Sequence, residues 1–400
     1  MSQMTVMNGN AAMAEALKQV HPDVVFAYPI IPSSPLIDQL VSFIAQGQLD
    51  AEYVQTESGV SAISGCIGAS AAGGRIFTAT SSQSLASMNE MLLIASSLRL
   101  PIVAAVVNRA MSAPGNIHAD HSDTITQRDN GWIQLYSENP QEAYDNLIQA
   151  YKLAESATVR TPVWVAIDGF ITSHSSENIT IEDASEISQF VGKFEPHYSL
   201  LDNEQPITIG SMVLSEYYFE QKVNQLNGFE SARQAIKEIG KEYGDRFGRY
   251  YGYFESYRLD DAEAAIVVLG STAGTIKESI DRMRERGEKV GLLKLRVFRP
   301  FPYQELAECL AHLQAIAVLD RSFAPGGLGG PLFNEIRSAL YETQPNPRIF
   351  PYIYGLGGRD IGVEDIEKIF TDIKEKSQRV EVTSELHPTT SDVVFVNIRQ

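Results

Sequence analysis

The sequence is poor in cysteine, and this scarcity limits the metal chemistry open to the chain. Its 400 residues include only two cysteines, Cys66 and Cys309, which lie far apart in sequence. A cubane iron–sulfur cluster is held by four cysteine thiolates. The chain therefore does not hold such a cluster by itself, and two cysteines also argue against a disulfide framework.

Positive charge and long apolar segments are scarce as well. The chain has 32 Lys and Arg against 50 Asp and Glu, which gives a net charge of −18. This balance argues against nucleic acid or an anionic membrane surface as a partner. No stretch approaches the run of about 18 apolar residues that a membrane-spanning helix needs. The start of the chain also lacks a basic, apolar signal pattern, so we expect a cytoplasmic protein.

Short apolar runs alternate with helical patterns along the first 170 residues. Such alternation is typical of a doubly wound parallel sheet in an α/β domain. We assign residues 1–245 to this domain, including an acidic, Tyr-rich and irregular connection from about 170 that contains one helical segment at 228–243. The predicted strands are 23–27, 52–55, 75–79, 101–107, 132–136 and 162–167, and the predicted helices include 9–19, 35–46, 85–98 and 140–155.

A second α/β unit is predicted over residues 260–375, with strands at 264–270, 290–295 and 315–320. The glycine-rich run after Asp320 lacks the spacing of a dinucleotide fingerprint. It favours a tight turn before a helix, with an anion at the helix start left open. The tail, 376–400, is polar except for Val393 to Val396. These four residues predict a single strand added to a neighbouring sheet or subunit, or else a loosely ordered terminus.

Two strand ends carry residues suited to binding a ligand. Residues 28–35 follow one predicted strand, and Glu57 follows the next. Ligands of open parallel sheets sit at the carboxyl ends of the strands. A buried Glu57 would have a raised pKa and would exchange a proton with a bound heterocycle, as thiamin diphosphate requires. The alternative is an ordinary helix-start acid favoured by the helix dipole. A third strand end is rich in hydroxyls, with Ser81 and Ser82 as candidate cofactor-binding residues.

Two further features are open to more than one interpretation. Residues 118–123 (HADHSD) place four potential ligands close together, which suggests either a divalent metal site or a loop that caps the next helix. We favour the loop and assign no metal to the chain. Arg109 ends a strand and is either a surface ion-pair partner or a two-point grip for a carboxylate.

Several motifs together resemble one family. Residues 1–245 are similar to the first, thiamin-pyrimidine-binding domain of the 2-oxoacid:ferredoxin oxidoreductases, most of all to the alpha subunits of multi-subunit pyruvate:ferredoxin oxidoreductases (pyruvate synthases). The second unit resembles the C-terminal domain of transketolase-type enzymes. The matching motifs are AYPIIPSSP at 27–35, the run TESGVSAISGCIGASAAGGRIFTATSSQSL at 56–85, residues 108–145 and TPVWVAIDGF at 161–170.

The resemblance implies oxidative decarboxylation of a 2-oxoacid, first of all pyruvate, to acyl-coenzyme A and carbon dioxide. The reaction is reversible and its electrons pass to ferredoxin. Thiamin diphosphate would be shared with a beta subunit that holds the magnesium ion. The [4Fe-4S] clusters would lie on partner subunits of the beta, gamma and delta type. By motif match, Glu57 activates the cofactor, Arg109 holds the substrate carboxylate, and Tyr28, Pro29 and Ile31 shape the substrate wall, while His118, Asp120 and His121 form a substrate-side loop.

Position 31 departs from the family pattern. Ile31 stands where the family has a threonine whose hydroxyl contacts the substrate, and isoleucine cannot form a hydrogen bond. A different 2-oxoacid, such as oxalate or a branched-chain acid, is therefore an alternative substrate. The sequence also leaves open a non-redox thiamin enzyme and a non-catalytic scaffold subunit. The chain lacks a Gly-Asp-Gly diphosphate site, which counts against a self-contained thiamin enzyme.

Overall fold

The computed structural model of the protein describes residues 2–344, 346–378 and 393–399. Strands and helices alternate through the first part of the chain, as the sequence pattern predicts. In chain order these elements are β1 (Gln3–Met7), α1 (Gly9–Val20), β2 (Val24–Ala27), α2 (Ser34–Ala45), β3 (Glu52–Gln55), α3 (Gly59–Ala71), β4 (Ile76–Thr80), α4 (Ser82–Ser87), α5 (Asn89–Ser97), β5 (Val103–Asn108), α6 (Ser122–Ile125), β6 (Ile133–Tyr136), α7 (Pro140–Glu155), β7 (Val163–Asp168), β8 (Glu177–Ile181) and α8 (Ala184–Val191).

A long helix then leads to the second α/β unit. The 3-10 turn in that unit covers Leu356–Gly358. The elements are α9 (Ser215–Phe247), β9 (Phe254–Tyr257), β10 (Ala264–Leu269), α10 (Thr272–Glu285), β11 (Val290–Leu295), β12 (Val297–Arg299), α11 (Tyr303–Leu310), β13 (Ala315–Asp320), α12 (Pro331–Leu340), β14 (Arg348–Ile353), α13 (Val363–Gln378) and β15 (Val394–Phe395).

The first sheet has the strand order β12-β6-β7-β5-β4-β2-β3. All its strands are parallel except β12. Successive side chains of a strand point to opposite faces. Val103 and Val107 accordingly pack under α1, α2 and α7, whereas Ala104 and Val106 pack against α3, α5 and the second unit. The predicted doubly wound α/β architecture is therefore confirmed, with an apolar core on each face of the sheet.

The second sheet has the order β15-β14-β13-β10-β11-β9, in which only β9 is antiparallel. The strand predicted in the tail is confirmed in part, because Val394 and Phe395 pair with β14 of the same chain. Most of the tail, residues 379–392 and residue 400, lies outside the described residues. An inter-subunit role for the tail stays a prediction.

The connection after residue 170 is more regular than the sequence analysis predicts. It contains β8, α8 and the 33-residue α9, whereas the prediction gives one helical segment at 228–243. The prediction is wrong because the N-terminal half of α9 is rich in aromatic residues and buries no continuous apolar stripe. The buried stripe starts at Gly228, and α9 ends where Gly248 adopts a left-handed conformation (φ 77°). A glycine in this conformation is a common helix stop.

The two units are joined by shared structure. Strand β12 belongs in sequence to the second unit, but it pairs antiparallel with β6 at the edge of the first sheet. Beside it, the buried Lys294 Nζ lies 2.8 Å from Glu138 Oε2 and also bonds Glu142 of the first unit. None of the helices in the described part of the chain has both the length and the apolar character needed to cross a bilayer.

Candidate active site

The ends of strands β2 to β5 lie along one edge of the first sheet. The parallel register pairs Ala27 with both Gln55 and Ala79, and Thr80 with Val106. The residues that follow these strands therefore share the carboxyl edge, where open sheets bind their ligands. This edge brings together the loop after β2, Glu57, the serines after β4 and Arg109.

Glu57 is exposed in this chain. Its carboxylate accepts a hydrogen bond from the Ser61 hydroxyl. That bond, and a second one from its own backbone, lower the pKa of Glu57. The expected burial and raised pKa are thus wrong for the chain by itself, because β3 is the outermost strand and Glu57 lies beyond its end. Ser58, rather than Glu57, caps α3 by accepting from the backbone N–H of Ser61 at 3.1 Å.

The glycines of α3 allow the close approach that its small residues predict. A Cβ on Gly65 would overlap the ring of Phe26 in β2, and a Cβ on Gly59 would overlap the Ser84 side chain in α4. The opposite side of α3 carries the exposed Val60 and Ser64. The helix therefore packs tightly on its own sheet and presents a small, uncharged surface beside Glu57.

The hydroxyl groups of the two serines after β4 differ in their hydrogen bonding. Ser81 is fully buried, and its hydroxyl has no hydrogen-bond partner among the described residues. The Ser82 hydroxyl donates to the Ala110 carbonyl at 2.7 Å. Ser82 also has a left-handed backbone conformation (φ 51°). The Ser81 hydroxyl is thus unpaired among the described residues, whereas Ser82 connects the ends of β4 and β5.

Arg109 connects the loop after β2 with the loop that follows β5. Its guanidinium donates to the main-chain carbonyls of Ile31 and Asn116, both at 3.0 Å. Within the described residues these carbonyls are its hydrogen-bond partners, and neither carries a charge. The side chain of Ile31 is 52% exposed. Arg109 therefore keeps its positive charge available beside Ile31, as a carboxylate-binding residue requires.

The candidate substrate-side loop divides into an exposed and a buried part. His118 is exposed, and its ring contacts Phe170 with 5.2 Å between centroids. Asp120 is buried and accepts the backbone N–H of Gly357 at 3.1 Å. His121 is buried and its Nε2 lies 2.7 Å from Asp168 Oδ1. The three side chains thus have separate partners, and of them only His118 faces solvent.

Asp123 has a positioning role that the sequence analysis missed. Its Oδ2 accepts the backbone N–H groups of both Ser82 and Arg109 at 2.9 Å. Its Oδ1 accepts from Asn108 Nδ2 at 2.7 Å. Burial raises the pKa of Asp123 to about 6, although these bonds oppose the shift. The signal available in the sequence was the position of Asp123 at the start of a helix that follows a strand-end loop.

Asp168, at the end of β7, is the second residue that the sequence analysis did not single out. Besides His121, it accepts from Arg321 Nη1 at 3.1 Å and from the backbone N–H of Ser271 at 2.9 Å. Burial alone would raise the pKa of Asp168. The charges of Arg321 and His121 outweigh burial and hold it well below the usual range. Since Arg321 and Ser271 belong to the second unit, only the folded chain reveals this cluster.

One group of carboxylates has the spacing of a metal site. Oxygen atoms of Glu138, Glu142 and Glu255 lie within 4.8 Å of one another. The ammonium group of Lys294 already bonds all three, at 2.8 Å to Glu138 and 2.7 Å to Glu255. A lysine at this position supplies the positive charge that a cation would otherwise bring.

Two family models match the chain. "Pyruvate flavodoxin/ferredoxin oxidoreductase, thiamine diP-bdg" matches residues 15–241, and "Pyruvate:ferredoxin oxidoreductase core domain II" matches residues 262–366. The first match alone covers more than half of the chain. The chain belongs to the pyruvate flavodoxin/ferredoxin oxidoreductase family. The recognition made from sequence motifs is confirmed, as is the order of the two α/β units.

Curated members of this oxidoreductase family match along nearly the whole chain. Pyruvate synthase subunit PorA of Thermotoga maritima is 48% identical over 370 residues, which cover 92% of this chain and 94% of the relative. PorA of Methanocaldococcus jannaschii is 45% identical over 377 residues, 94% and 96% of the two chains. Ketoisovalerate oxidoreductase subunit VorA of Pyrococcus abyssi is 44% identical over 371 residues, 92% and 93%.

A solved structure has the same fold. It is a 2-oxoglutarate:ferredoxin oxidoreductase from Magnetococcus marinus with 2-oxoglutarate, coenzyme A and succinyl-CoA bound. The TM-score is 0.71 at 20% identity, and the match covers 94% of this chain. This chain spans 65% of the length of that one. At this identity the likeness supports the fold alone.

The residues at the carboxyl edge fit the cofactor of the oxidoreductase family. Thiamin diphosphate needs a carboxylate to share a proton with its aminopyrimidine ring, and the Glu57 carboxylate is accessible there. The buried Ser81 hydroxyl has an unused hydrogen-bonding capacity at the same edge. An unpartnered buried hydroxyl costs free energy unless a ligand or water satisfies it. Both features are compatible with thiamin diphosphate at this edge.

Proposed function

We propose that the chain is the alpha subunit of a pyruvate:ferredoxin oxidoreductase that oxidatively decarboxylates pyruvate to acetyl-coenzyme A and carbon dioxide, reversibly, and passes the electrons to ferredoxin. The observation that carries the proposal is the 48% identity over 370 residues to a subunit named PorA, since this match spans both units. The exposed Glu57 and the unneutralised Arg109 at one sheet edge support it. Bound thiamin diphosphate supplies a carbon nucleophile that adds to the 2-oxoacid and stabilises the charge left by decarboxylation.

Glu57 is the proposed proton-exchanging residue. Its carboxylate would share a proton with the aminopyrimidine of the cofactor and so favour the tautomer that activates the thiazolium ring. The Ser61 hydroxyl lowers the Glu57 pKa in the single chain. Contact with the aminopyrimidine ring and a partner subunit would exclude water from the carboxylate and raise that pKa. Assembly would therefore move Glu57 towards the protonation state that the reaction needs.

Arg109 is the proposed binding residue for the substrate carboxylate. Its guanidinium lies beside the loop after β2, and its two described bonds go to neutral carbonyls. The substrate wall would be formed by Tyr28, Pro29 and Ile31. An apolar Ile31 offers no hydrogen bond to the substrate, so discrimination among 2-oxoacids would depend on shape and on Arg109.

A partner subunit is proposed to complete the site. The chain exposes the apolar side chains of Val54 and Val60, close to Glu57 in sequence, and of Leu93 and Ile94 on α5. We propose that a beta subunit covers these side chains and holds the diphosphate and Mg²⁺. The iron–sulfur clusters would lie on partner subunits, because burial raises the pKa of the Cys66 thiol and only one other cysteine is present. An acidic chain also disfavours direct docking of an acidic ferredoxin.

The test is anaerobic purification of the tagged chain from its host, followed by assays of the complex. We expect thiamin and iron to co-purify, and pyruvate to reduce a dye only with coenzyme A present. The chain purified without partners should be inactive. Ketoisovalerate is the second substrate to assay, because VorA subunits match at 44% identity and Ile31 is apolar. Preference for ketoisovalerate would show that the substrate is this acid and not pyruvate. Absence of both thiamin and iron would refute the proposed oxidoreductase function.

A further inference from the structure

We propose that the second α/β unit positions the substrate-binding loop of the first unit. Two contacts would do this: the Asp168 carboxylate seated at the strand ends of the second sheet, and the turn at 355–358 pressed against residues 116–120. The inference rests on the proposed function, because it assigns Arg109 to the substrate carboxylate. It gives Asp168, Asn116 and the turn the role of positioning residues.

The second sheet has its own ligand crevice, and the first unit fills it. The chain continues from β10 to β11 on one side and returns to β13 on the other, so the strand order reverses between β10 and β13. Ligands of open α/β sheets bind at such a point, against helix N-termini. Here the Asp168 carboxylate accepts the backbone N–H of Ser271 at the start of α10 and a bond from Arg321 after β13. A side chain of the first unit thus occupies the place of an anionic ligand.

The turn after β14 is shaped for backbone contact with the loop. Gly355, Gly357 and Gly358 all have positive φ angles, of 64°, 60° and 82°. Asn116 Nδ2 donates to the Gly357 carbonyl at 3.1 Å, and a Cβ on Gly358 would overlap the Cβ of His118. The glycines therefore allow an approach that any side chain would prevent.

The loop residues that contact the turn also form hydrogen bonds with Arg109 and its neighbour Ala110. The carbonyl of Asn116 accepts from Arg109 Nε at 3.0 Å, and the backbone N–H of Ala110 donates to the His118 carbonyl at 2.9 Å. A shift of residues 116–118 would therefore move the guanidinium. Misplacing a substrate-binding group by about 1 Å is enough to reduce catalysis strongly.

The test compares Gly358→Ala with Gly287→Ala in the assembled complex. Both glycines have nearly the same φ, 82° and 84°, but a Cβ on Gly287 would meet nothing within 4 Å. Both alanines therefore introduce similar backbone strain, and only the one at 358 pushes on the loop. We expect Gly358→Ala to raise KM for the 2-oxoacid roughly tenfold with a much smaller change in kcat. Gly287→Ala should leave both constants near those of the wild type.

Hydrogen exchange of residues 109–121 is the second readout, and it does not depend on turnover. We expect faster exchange in the Gly358→Ala complex and unchanged exchange in the Gly287→Ala complex. Equal KM and equal exchange in the two variants would overturn the inference. If the wild-type complex oxidises neither pyruvate nor ketoisovalerate, the proposed function fails. The exchange comparison would then still decide whether the turn holds the loop.

Asn116→Asp is a milder variant for the case in which Gly358→Ala does not fold. The aspartate keeps an acceptor for the backbone N–H of His118, as Asn116 Oδ1 does now at 2.6 Å. It replaces the donor to the Gly357 carbonyl by an oxygen, which repels that carbonyl. We expect KM to rise while the folded complex and its thiamin content stay unchanged. An unchanged KM would overturn the inference.

Discussion

The carboxyl edges of the two sheets have similar topology and different contents. At the first edge, Glu57 is exposed and the Arg109 guanidinium donates to neutral carbonyls. At the second edge, Arg321 is buried against Asp168, and Asp320 accepts the backbone N–H groups at the start of α12. Open parallel sheets offer a ligand site at this edge. The comparison shows that the charged groups of the first edge stay accessible, while the protein itself fills the second edge.

The difference follows from which charges find partners inside the chain. Burying a charge is tolerated when an opposite charge and hydrogen bonds satisfy it. Asp168 meets that condition with His121, Arg321 and Ser271. Glu57 and Arg109 do not meet it within the described chain, so both groups stay accessible. This accessibility is what the proposed composite site, completed by a partner subunit, would need.

The largest expected effect is at the open edge, where Glu57→Gln removes the exchangeable proton and keeps the shape. We expect kcat of the assembled complex to fall roughly 100-fold or more, since positioned acid–base groups contribute rate factors of this size. The measurement is coenzyme A-dependent dye reduction with the preferred 2-oxoacid. Glu52→Gln, at the other end of the same strand, is the control and should retain full activity. Full activity of Glu57→Gln would instead indicate a scaffold subunit.

At the second edge, which the protein itself fills, a substitution should lower the stability of the protein. Asp168→Asn leaves Arg321 buried without its counter-charge, and breaking such a pair costs about 3 kcal/mol. We expect a marked fall in the unfolding midpoint by denaturant titration. Asp261→Asn, which removes an exposed partner of Arg284, is the matched control and should shift the midpoint far less. Equal midpoints for the two variants would contradict the view that Asp168 locks the units together.

Ile31→Thr tests how the open edge selects its substrate. A threonine hydroxyl would add a hydrogen bond to the substrate, and such a bond to a charged group contributes about 1.5–3 kcal/mol. We expect KM for pyruvate to fall about tenfold. Ile31→Val keeps the branched shape without the hydroxyl and should leave KM nearly unchanged. A fall in KM with both variants would attribute the effect to side-chain size instead.

The smallest expected effect is a pH dependence of the free energy of unfolding, which arises from Asp123. Burial raises its folded pKa to about 6 from an ordinary value of 3.8, so the folded protein binds a proton that the unfolded chain releases. The penalty to stability is therefore full above pH 6, shrinks as the pH falls below about 6, and is gone only below the ordinary value of 3.8. The free energy of unfolding of the wild type should rise relative to that of Asp123→Asn between pH 7 and pH 5. Asp168, whose pKa lies below 3.8, should contribute a constant amount over the same interval.

Thermal or denaturant unfolding of both proteins at several pH values measures this effect. Groups shared by the two proteins cancel in the difference, including Asp320, whose pKa burial raises to about 7. A difference that does not change with pH would mean that Asp123 is ionised throughout. The hydrogen bonds that it accepts from two backbone N–H groups would then outweigh the effect of burial on its pKa.

Local sequence patterns were enough for much of the fold and for the position of the open site. Apolar runs of strand length predicted β2 to β7 within one or two residues, and parallel strands place their ends together. The positions of Glu57 and Arg109 at one edge follow from this rule alone. The small residues of α3 also predicted close packing, which Gly65 and Gly59 provide.

Features that depend on distant parts of the chain could not be read in this way. Exposure of Glu57 depends on what covers β3, and that information is not local to Glu57. The contact of Asp168 with Arg321 joins residues that are 153 positions apart. The extension of α9 was missed because its first turns are rich in aromatic residues, and the short strand β12 was not predicted. In each case tertiary contacts outweighed local propensity.

The crossing of β12 has a consequence for how the protein is made. Val297 closes the edge of the first sheet against Leu135, roughly 160 residues earlier, and such distant pairings form late. During synthesis the β6 edge stays open until the second unit has left the ribosome. An open edge strand readily pairs with other chains. A protein truncated near residue 250, at the apparent boundary between the two units, would therefore expose the β6 edge and aggregate.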